Sequence, residues 1–250
     1  MKIIACYSNK GGVGKTAASV NLAYASAMSG KRTLLCDLDP QGAAGFYFRV
    51  KPSKKLTEAN FFDDVEKFTK AIRGSDYENL DILPANMSFR DFDIFLSRMR
   101  DTRSRLKKSL NSVQADYDVI VLDCPPNISA LSENVFRAAD AILVPVIPTT
   151  LCQRTFEQLV DFFKQNDLPV KKLHGFYCMV QGVKSLHIET MDAMNSAYKK
   201  RFMAAKVPFA TDVERMGVHR APVMASAPNS AADKAYQALY QEVTKRLESK

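Results

Sequence analysis

The stretch SNKGGVGKT, residues 8–16, decides the fold of this chain. It follows a short apolar run and opens a segment with helical spacing, which is the setting of a phosphate-binding loop. Gly11, Gly12 and Gly14 let backbone N–H groups turn inward and approach phosphate oxygens closely. In such a loop Lys15 reaches the β- and γ-phosphates of a nucleotide, and the Thr16 hydroxyl is a natural Mg²⁺ ligand. The competing interpretation is an ordinary glycine-rich turn between a strand and a helix.

Apolar runs alternate with helix-like segments along the rest of the chain. The sequence predicts buried strands at 2–8, 32–38, 119–122, 141–147 and 175–180. It predicts helices at 16–29, 88–113 and 231–247, where apolar residues recur at helical spacing. Near-continuous apolar strands that alternate with helices indicate an α/β fold with one doubly wound, mostly parallel sheet covered on both faces. No linker or repeat divides the chain, so we expect residues 1–250 to form a single domain.

Two further polar clusters fall at predicted strand ends, where open parallel sheets bind ligands. The first is DLDPQG, residues 37–42, in which alternation places Asp37 and Asp39 on the same side of the chain. Beside a Mg-nucleotide, these carboxylates would hold the metal's water and position an attacking water; alone, the cluster also fits a solvated turn. The second is VIVLDCPP, residues 119–126, whose Asp123 fits either a carboxylate that supports Mg²⁺ or a cap of the next helix.

KGGVGKT, DLDPQG and VIVLDCPP occur here in the order and approximate spacing that they have in the ParA/MinD family of deviant Walker-motif ATPases. The chain resembles that family over essentially its whole length, and the loop with two lysines separates this family from other P-loop proteins. The resemblance implies a P-loop ATPase that uses ATP and Mg²⁺ and forms a homodimer with two nucleotides between the subunits.

The resemblance also implies roles for individual residues. The catalytic residues would be Lys10, which reaches the partner subunit's nucleotide, Lys15, which binds its own, and Asp39, which orients the hydrolytic water. Thr16, Asp37 and Asp123 would hold or support the metal. The remaining nucleotide contacts would come from the loop and from a late segment that lies against the adenine in the family: Gly11, Gly12, Val13, Gly14, Ala17, Pro208 and Phe209. Ala17 replaces the Thr or Ser that the family often has, and we expect little loss because its backbone N–H still reaches phosphate.

Composition narrows the choice among family members. The net charge of +8 favours a polyanion or an anionic lipid surface as partner, although general solubility explains it equally well. The five cysteines are scattered without a C-x-x-C pair, which argues against an iron–sulfur carrier and fits a reducing, cytoplasmic setting. The final segment has a modest apolar face and ends in charge, so we expect it to pack on the domain rather than bind a membrane.

DNA is the partner that the sequence favours most. Because the loop begins within ten residues of the start, we expect no N-terminal helix-turn-helix module, and DNA contacts should be electrostatic and nonspecific. The candidates lie in the last third of the chain, where the family usually binds DNA: Lys184, Lys199, Lys200, Arg201, Arg215 and Arg220. A denser basic cluster within 98–108 falls on several faces of one predicted helix and fits a solvated surface.

The sequence thus predicts a ParA-like ATPase that is cytoplasmic, associates with the nucleoid when ATP-bound, and positions a plasmid, a chromosome region or a protein assembly. A ParB-like or other cargo adaptor would stimulate its hydrolysis, which would be slow alone. Three alternatives stay open: a MinD-like membrane-positioning ATPase, a nucleotide-dependent scaffold with little turnover, and a P-loop enzyme that uses ATP on a small substrate. The sequence offers no substrate pocket of its own for the last.

Overall fold

A computed structural model of the chain, which describes residues 1–99, 102–198 and 201–248, contains one eight-stranded sheet. The strand order is β3-β4-β2-β5-β1-β6-β7-β8, and every neighbouring pair is parallel except β3 and β4. The prediction of a doubly wound, mostly parallel sheet is therefore confirmed. The strands are β1 (Lys2–Cys6), β2 (Thr33–Asp37), β3 (Arg73–Gly74), β4 (Leu80–Leu83), β5 (Val119–Asp123), β6 (Ala141–Val146), β7 (Leu173–Val180) and β8 (Phe202–Pro208).

Helices connect the strands and cover both faces of the sheet. α1 leads from β1 to β2, α7 from β5 to β6, α8 from β6 to β7 and α9 from β7 to β8. The α-helices of the described residues are α1 (Lys15–Met28), α2 (Ala43–Tyr47), α3 (Glu58–Asp63), α4 (Val65–Ala71), α5 (Phe92–Arg98), α6 (Arg105–Asn111), α7 (Ala130–Ala138), α8 (Thr150–Gln165), α9 (Ser185–Tyr198), α10 (Thr211–Glu214), α11 (Met216–His219), α12 (Val223–Ser226) and α13 (Ala231–Glu248).

Successive residues of the central strands enter two separate cores. In β1, Ile3 and Ala5 join one apolar cluster, while Ile4 and Cys6 join the other. This alternation is what a pleated strand covered on both faces requires, and it explains why the strand sequences are apolar throughout. Because β1 lies between β5 and β6, the loop that follows it emerges near the middle of the sheet. The fold thus places residues 8–16 where the carboxyl ends of the central strands meet.

One core is rich in aromatic side chains from the segment between β2 and β5. Phe61 contacts the rings of Phe62, Phe68, Phe89 and Phe92, with ring centroids 4.9–5.4 Å apart. Edge-to-face pairs of this kind stabilise a core beyond the area that they bury. The cluster fixes α3, α4 and α5, which are too short to be stable alone, against the sheet.

The other core lies between the sheet, α1 and α13. Tyr236, Leu239, Val243 and Leu247 of α13 are all buried and face this cluster. Glu242 on the same helix accepts hydrogen bonds from the backbone N–H groups of Ala204 and Ala205 in β8, at 2.8–3.2 Å. The expectation that the final segment packs on the rest of the chain matches this arrangement.

The predicted helix over 88–113 is wrong as a single element. Residues 87–91 and 102–104 form 3₁₀ turns, α5 spans Phe92–Arg98, and α6 begins at Arg105. The break follows α5 because Met99 has an extended ψ of 149°, which cannot continue an α-helix. The basic residues within 98–108 therefore belong to more than one element; positions 100 and 101 lie outside the described residues. The other predicted elements are present, with ends shifted by one or two residues.

Candidate nucleotide-binding site

The loop after β1 has the backbone of a phosphate-binding cradle. Gly12 and Gly14 adopt φ values of +72° and +87°, in the left-handed region that side chains disfavour. α1 begins directly after Gly14, at Lys15, and its first-turn N–H groups supply the positive end of a helix dipole. The glycines are therefore required by the turn itself. An anion placed here would meet the free N–H groups of the first turn of α1.

Lys15 lies inside this loop rather than in solvent. Its side chain is buried, and its ammonium donates to the carbonyl oxygen of Lys10 at 3.0 Å. Burial lowers the pKa of Lys15, while the negative charges of Asp123 and Asp39 act in the opposite direction. A buried ammonium with a single neutral acceptor gains most from an anionic ligand, because desolvation has removed the water that would otherwise surround it.

Lys10 is half-buried and its side chain turns toward α8. Its ammonium donates to the sulfur of Cys152 at 3.3 Å, and its backbone N–H donates to Ser8 Oγ at 3.3 Å. Sequence reasoning did not identify Cys152, because its side chain approaches Lys10 only through the packing of α8 beside the loop. The two lysines are thus linked through the Lys10 carbonyl but point to different acceptors.

Asp37 and Asp123 form a buried carboxylate pair at the ends of neighbouring strands. They are register partners of β2 and β5, and both are completely buried. Asp123 Oδ1 accepts the Ser19 hydroxyl at 3.1 Å, whereas its Oδ2 has no hydrogen-bond partner in the described part of the chain. Burial raises the pKa of Asp123 to about 6, although hydroxyls of Thr16 and Ser19 hold it lower than burial alone would. The sequence analysis did not identify Ser19. Its position four residues after Lys15, one turn along α1, places it on the same side of the helix as Lys15 and could have indicated its role.

Asp37 also organises the segment that follows β2. Its Oδ2 accepts the N–H groups of Ala44 and Gly45 at 3.0 and 3.4 Å, and its Oδ1 accepts that of Asp39 at 3.1 Å. Burial, and then the charge of Asp123, raise the pKa of Asp37 well above its usual range. Asp37 is therefore not part of a solvated turn. Asp39 is half-buried and its Oδ1 accepts the Gln41 N–H at 3.0 Å, as in an Asx turn.

The alternative that Asp123 caps the next helix does not hold. α7 begins at Ala130, and its cap is Ser129, whose hydroxyl accepts the Ser132 N–H. The pair of carboxyl groups instead fits a Mg²⁺ ion, because a cation would stabilise the ionised form of both buried groups and would satisfy the unpartnered oxygen of Asp123. Residues 1–99, 102–198 and 201–248 contain no group of three His, Cys, Asp or Glu side chains able to hold a metal alone. Mg²⁺ is commonly bound through one or two carboxylates together with substrate phosphates.

A mostly apolar cavity opens beside the loop. Its lining includes Gly14 and Ala17 from the loop and α1, together with Pro208 and Phe209 after β8. The fold thus brings the predicted adenine segment next to the predicted phosphate loop, although the two are nearly 200 residues apart. The lining that sequence reasoning missed comes from four elements: Cys178, Met179, Val207, Ala210, Val213, Glu214 and Tyr236.

The predicted DNA-binding residues come from several elements. They differ in solvent exposure and in whether their side chains are hydrogen-bonded within the protein. Lys184 and Arg215 are exposed. Arg201 is half-buried and donates to the Val170 carbonyl oxygen at 2.8 Å. Arg220 donates to the Phe46 carbonyl oxygen at 3.1 Å, and its guanidinium lies 4.7 Å from the Phe46 ring centroid. The predictions at Lys199 and Lys200 lie outside the described residues.

Known proteins are similar to this chain in sequence and in fold. Residues 1–172 match the family model for an AAA domain. The chain is 30% identical to the sporulation initiation inhibitor protein Soj of Bacillus subtilis, over 97% of this chain and 98% of that protein. A plasmid partition protein of Borrelia burgdorferi bound to AMPPNP has a similar fold, with a TM-score of 0.81, 21% identity, and coverage of 98% and 99% of the two chains.

The same fold also occurs in an enzyme with a different activity. Cobyrinic acid a,c-diamide synthase of Mycobacterium smegmatis, with a bound ATP analog and magnesium, has a TM-score of 0.82 and 24% identity, over 100% of this chain and 96% of that one. Fold alone therefore does not decide the activity. The sheet order, the glycine loop and the strand-end carboxylates define a P-loop nucleotide-binding protein. By its motifs and its relatives, the chain belongs to the ParA/MinD family of deviant Walker-motif ATPases.

Proposed function

We propose that this protein is a ParA-like ATPase that forms an ATP-dependent dimer, binds DNA without sequence preference and positions a cargo. The observation that carries the proposal is the loop with two lysines, Lys10 and Lys15, beside the buried pair Asp37 and Asp123. A stimulating adaptor would set the timing of hydrolysis. We further propose a single domain over residues 1–250, a cytoplasmic location, and association with the nucleoid in the ATP form.

ATP and Mg²⁺ fit the site through the groups already described. Lys15 and the backbone of Gly11, Gly12, Val13 and Gly14 would hold the phosphates, with the Thr16 hydroxyl on the metal and Asp37 and Asp123 supporting it. Bound Mg²⁺ would neutralise charge on the phosphate oxygens. Asp39 would accept a hydrogen bond from the attacking water and so orient it. The cavity lined by Ala17, Pro208 and Phe209 would take the base.

Dimer formation is supported by exposed apolar side chains at the same end of the sheet. Ile128 follows β5, Leu151 follows β6 and Val183 follows β7. Their exposed fractions are 40%, 65% and 97%. β5 and β6 flank β1, whose loop is the candidate site, and β7 lies one strand beyond β6. Single exposed apolar residues are common, but these three follow strands on both sides of β1, at the edge of the sheet where the loop with Lys10 lies. A second copy of this chain would cover them.

Membrane binding through the C-terminal helix has less support. Tyr236, Leu239 and Val243 of α13 are buried in the core. These large apolar side chains are therefore not exposed for insertion into a membrane. Within the described residues, no helix combines the length and the apolar character that crossing a bilayer demands. The exposed Lys184 and Arg215 instead favour a polyanion, and such contacts would weaken with salt because counterions are released on binding.

The proposal can be tested with the purified chain, ATP or ADP, and Mg²⁺. We expect a dimer by sedimentation velocity with ATP only, and co-sedimentation with DNA of arbitrary sequence that falls steeply between 50 and 200 mM salt, roughly the range in which such contacts weaken. Lys15→Ala should lose both properties. Co-sedimentation with anionic liposomes but not DNA would point to the membrane alternative and contradict the proposal.

Turnover is measured separately, as phosphate release from ATP. We expect slow release that rises when an adaptor from the neighbouring gene is added. Release that no partner changes would favour the scaffold alternative. ATP consumption that depends on a small substrate would favour a synthetase.

A further inference from the structure

Lys10 is held at three points by its own chain. Its N–H donates to Ser8 Oγ at 3.3 Å, and its carbonyl oxygen accepts the Lys15 ammonium at 3.0 Å. The third hold is the bond from the Lys10 ammonium to Cys152 Sγ, at 3.3 Å. The side chain that would cross to another subunit is therefore engaged within its own subunit.

The contact with Cys152 is well placed but weak. Cys152 is 4% exposed and lies in the first turn of α8, so its sulfur is fixed by the helix. A thiol sulfur is a poor hydrogen-bond acceptor. The first turn of a 16-residue helix also carries the positive end of its dipole, which repels an ammonium. Such a contact orients Lys10 without preventing its release to a stronger, anionic acceptor.

The loop links this contact to the nucleotide. Lys15 donates to the carbonyl oxygen of the same residue, Lys10, whose side chain reaches Cys152. When Lys15 turns to a phosphate, the Lys10 carbonyl loses this donor and the backbone of Lys10 is less restrained. Binding of ATP would therefore loosen one hold on Lys10 directly and leave the bond to Cys152 as the main restraint on its side chain.

We propose that Cys152 is a positioning residue that retains Lys10 on its own subunit until ATP and a second copy of the chain compete for it. The inference rests on the proposed function, in which Lys10 contacts the partner subunit's nucleotide. Breaking two weak thiol contacts is then part of forming each dimer. Cys152 thereby raises the protein concentration at which the dimer forms, and it suppresses dimers that lack a nucleotide.

Removing the acceptor tests the proposal. With a non-hydrolysable ATP analogue and Mg²⁺, Cys152→Ala should lower the dimer dissociation constant about threefold for each protomer and therefore about tenfold in all. Affinity of the monomer for the analogue should not change. Cys152→Ser supplies a hydroxyl, a better acceptor than a thiol, and should dimerise no more readily than wild type. Cys36→Ala, which removes a thiol buried in β2, is the matched control and should leave the dimer constant unchanged.

A second measurement reports on Lys10 itself. In monomer without nucleotide, the rate of Lys10 acylation, resolved by peptide mass spectrometry, should rise severalfold in Cys152→Ala and stay at the wild-type value in Cys36→Ala. Acylation of Lys172, whose ammonium donates to the carbonyl oxygens of Phe136 and Arg137 at 3.3 and 3.2 Å, serves as the internal reference. A general loosening of the fold would raise the rate at both lysines, whereas loss of a positioning contact raises it at Lys10 alone.

The outcomes separate this inference from the proposed function. Unchanged dimerisation and unchanged Lys10 acylation in Cys152→Ala would overturn the role of Cys152. If Lys10→Ala dimerises like wild type, the crossing of Lys10 to another subunit is wrong, and the inference fails with it even if acylation shows the contact. If Cys152→Ala fails to fold, Cys152→Val fills the space without an acceptor, and the same two measurements decide.

Discussion

The buried carboxylate pair makes Asp123→Asn an informative perturbation. The pKa of Asp123 rises from an ordinary value of 3.8 to about 6 because the group is buried. Between these two pH values the folded protein keeps a proton that the unfolded chain has lost. Stability therefore falls as the pH rises through this window and stays lower above it. Replacing the carboxylate with an amide removes this pH-dependent loss.

The size of the effect follows from the difference between the two pKa values. About two pH units correspond to about 3 kcal/mol of unfolding free energy. The amide oxygen of the variant can still accept from Ser19, but its NH₂ group has no partner where Oδ2 of Asp123 has none, which adds a constant penalty. The variant-minus-wild-type difference in unfolding free energy should thus increase by at least about 3 kcal/mol between pH 4 and pH 7, because losing the Asp123 charge also removes one cause of the raised pKa of Asp37. Urea unfolding without nucleotide, at several pH values, measures it.

The surface residue Asp118 provides a control, because its pKa is shifted in the opposite direction from that of Asp123. Asp118 pairs with Arg32 at 3.0 Å, which lowers its pKa to about 2. The stability that this pair contributes is present above pH 3.8 and is lost as the pH falls from 3.8 to about 2. With unfolding measured down to about pH 2, the variant-minus-wild-type difference for Asp118→Asn should therefore rise as the pH falls, whereas that for Asp123→Asn rises as the pH increases. A variant-minus-wild-type difference for Asp123→Asn that stays flat from pH 4 to pH 7 would refute the reasoning.

Three further outcomes follow from individual contacts. Gly175→Ala would place a Cβ 2.6 Å from the Phe202 ring. Thermal unfolding should show that the variant loses about 1–3 kcal/mol of unfolding free energy. Gly182→Ala, whose Cβ would meet nothing within 4 Å, is the control and should show no such loss. Asp39→Ala should slow ATP hydrolysis by about a hundredfold while nucleotide binding by equilibrium titration is retained; an equal loss of affinity would show that its role is wrong. Arg201→Ala should lower the unfolding free energy by about 1 kcal/mol in urea, because it loses a bond to a backbone carbonyl, and unchanged stability would contradict this anchoring.

The central strands could be predicted because burial on both faces requires an uninterrupted run of apolar residues, which is visible in the sequence itself. β1, β2, β5 and β6 are apolar nearly throughout, and each was expected from its own residues. β8 was harder to predict, since it lies at the sheet edge and contains buried, half-buried and exposed residues without a regular alternation. The helices α3 and α4 were missed for another reason. They are six and seven residues long. Phe61 of α3 contacts Phe68 of α4 and the distant rings of Phe89 and Phe92, and these contacts stabilise the two helices rather than helical periodicity.

Some residues of the candidate site could likewise be predicted from the sequence, and others could not. The loop and the carboxylates at positions 37, 39 and 123 could be predicted, because a parallel sheet brings strand ends together whatever lies between them. Cys152 and Tyr236 could not, since each reaches the site from a helix whose orientation depends on packing. Ser19 could have been found, because it lies one turn after Lys15 on the helix that the loop opens. The capping of α2 by Asp37 was also missed, although Asp37 itself was identified.

The two borders of the sheet limit how copies of this protein can associate. At one border, β3 is only two residues long and antiparallel. At the other, the Glu242 carboxylate accepts hydrogen bonds from the N–H groups of Ala204 and Ala205 in β8, which are then not available to another chain. Open strand borders are where chains join into continuous sheets and aggregates. With both borders protected, joining of copies into a continuous sheet is disfavoured, and the proposed ATP-dependent dimer would form through loops and helix ends instead. The reversible association that we propose would thereby avoid competition from irreversible assembly through strand borders.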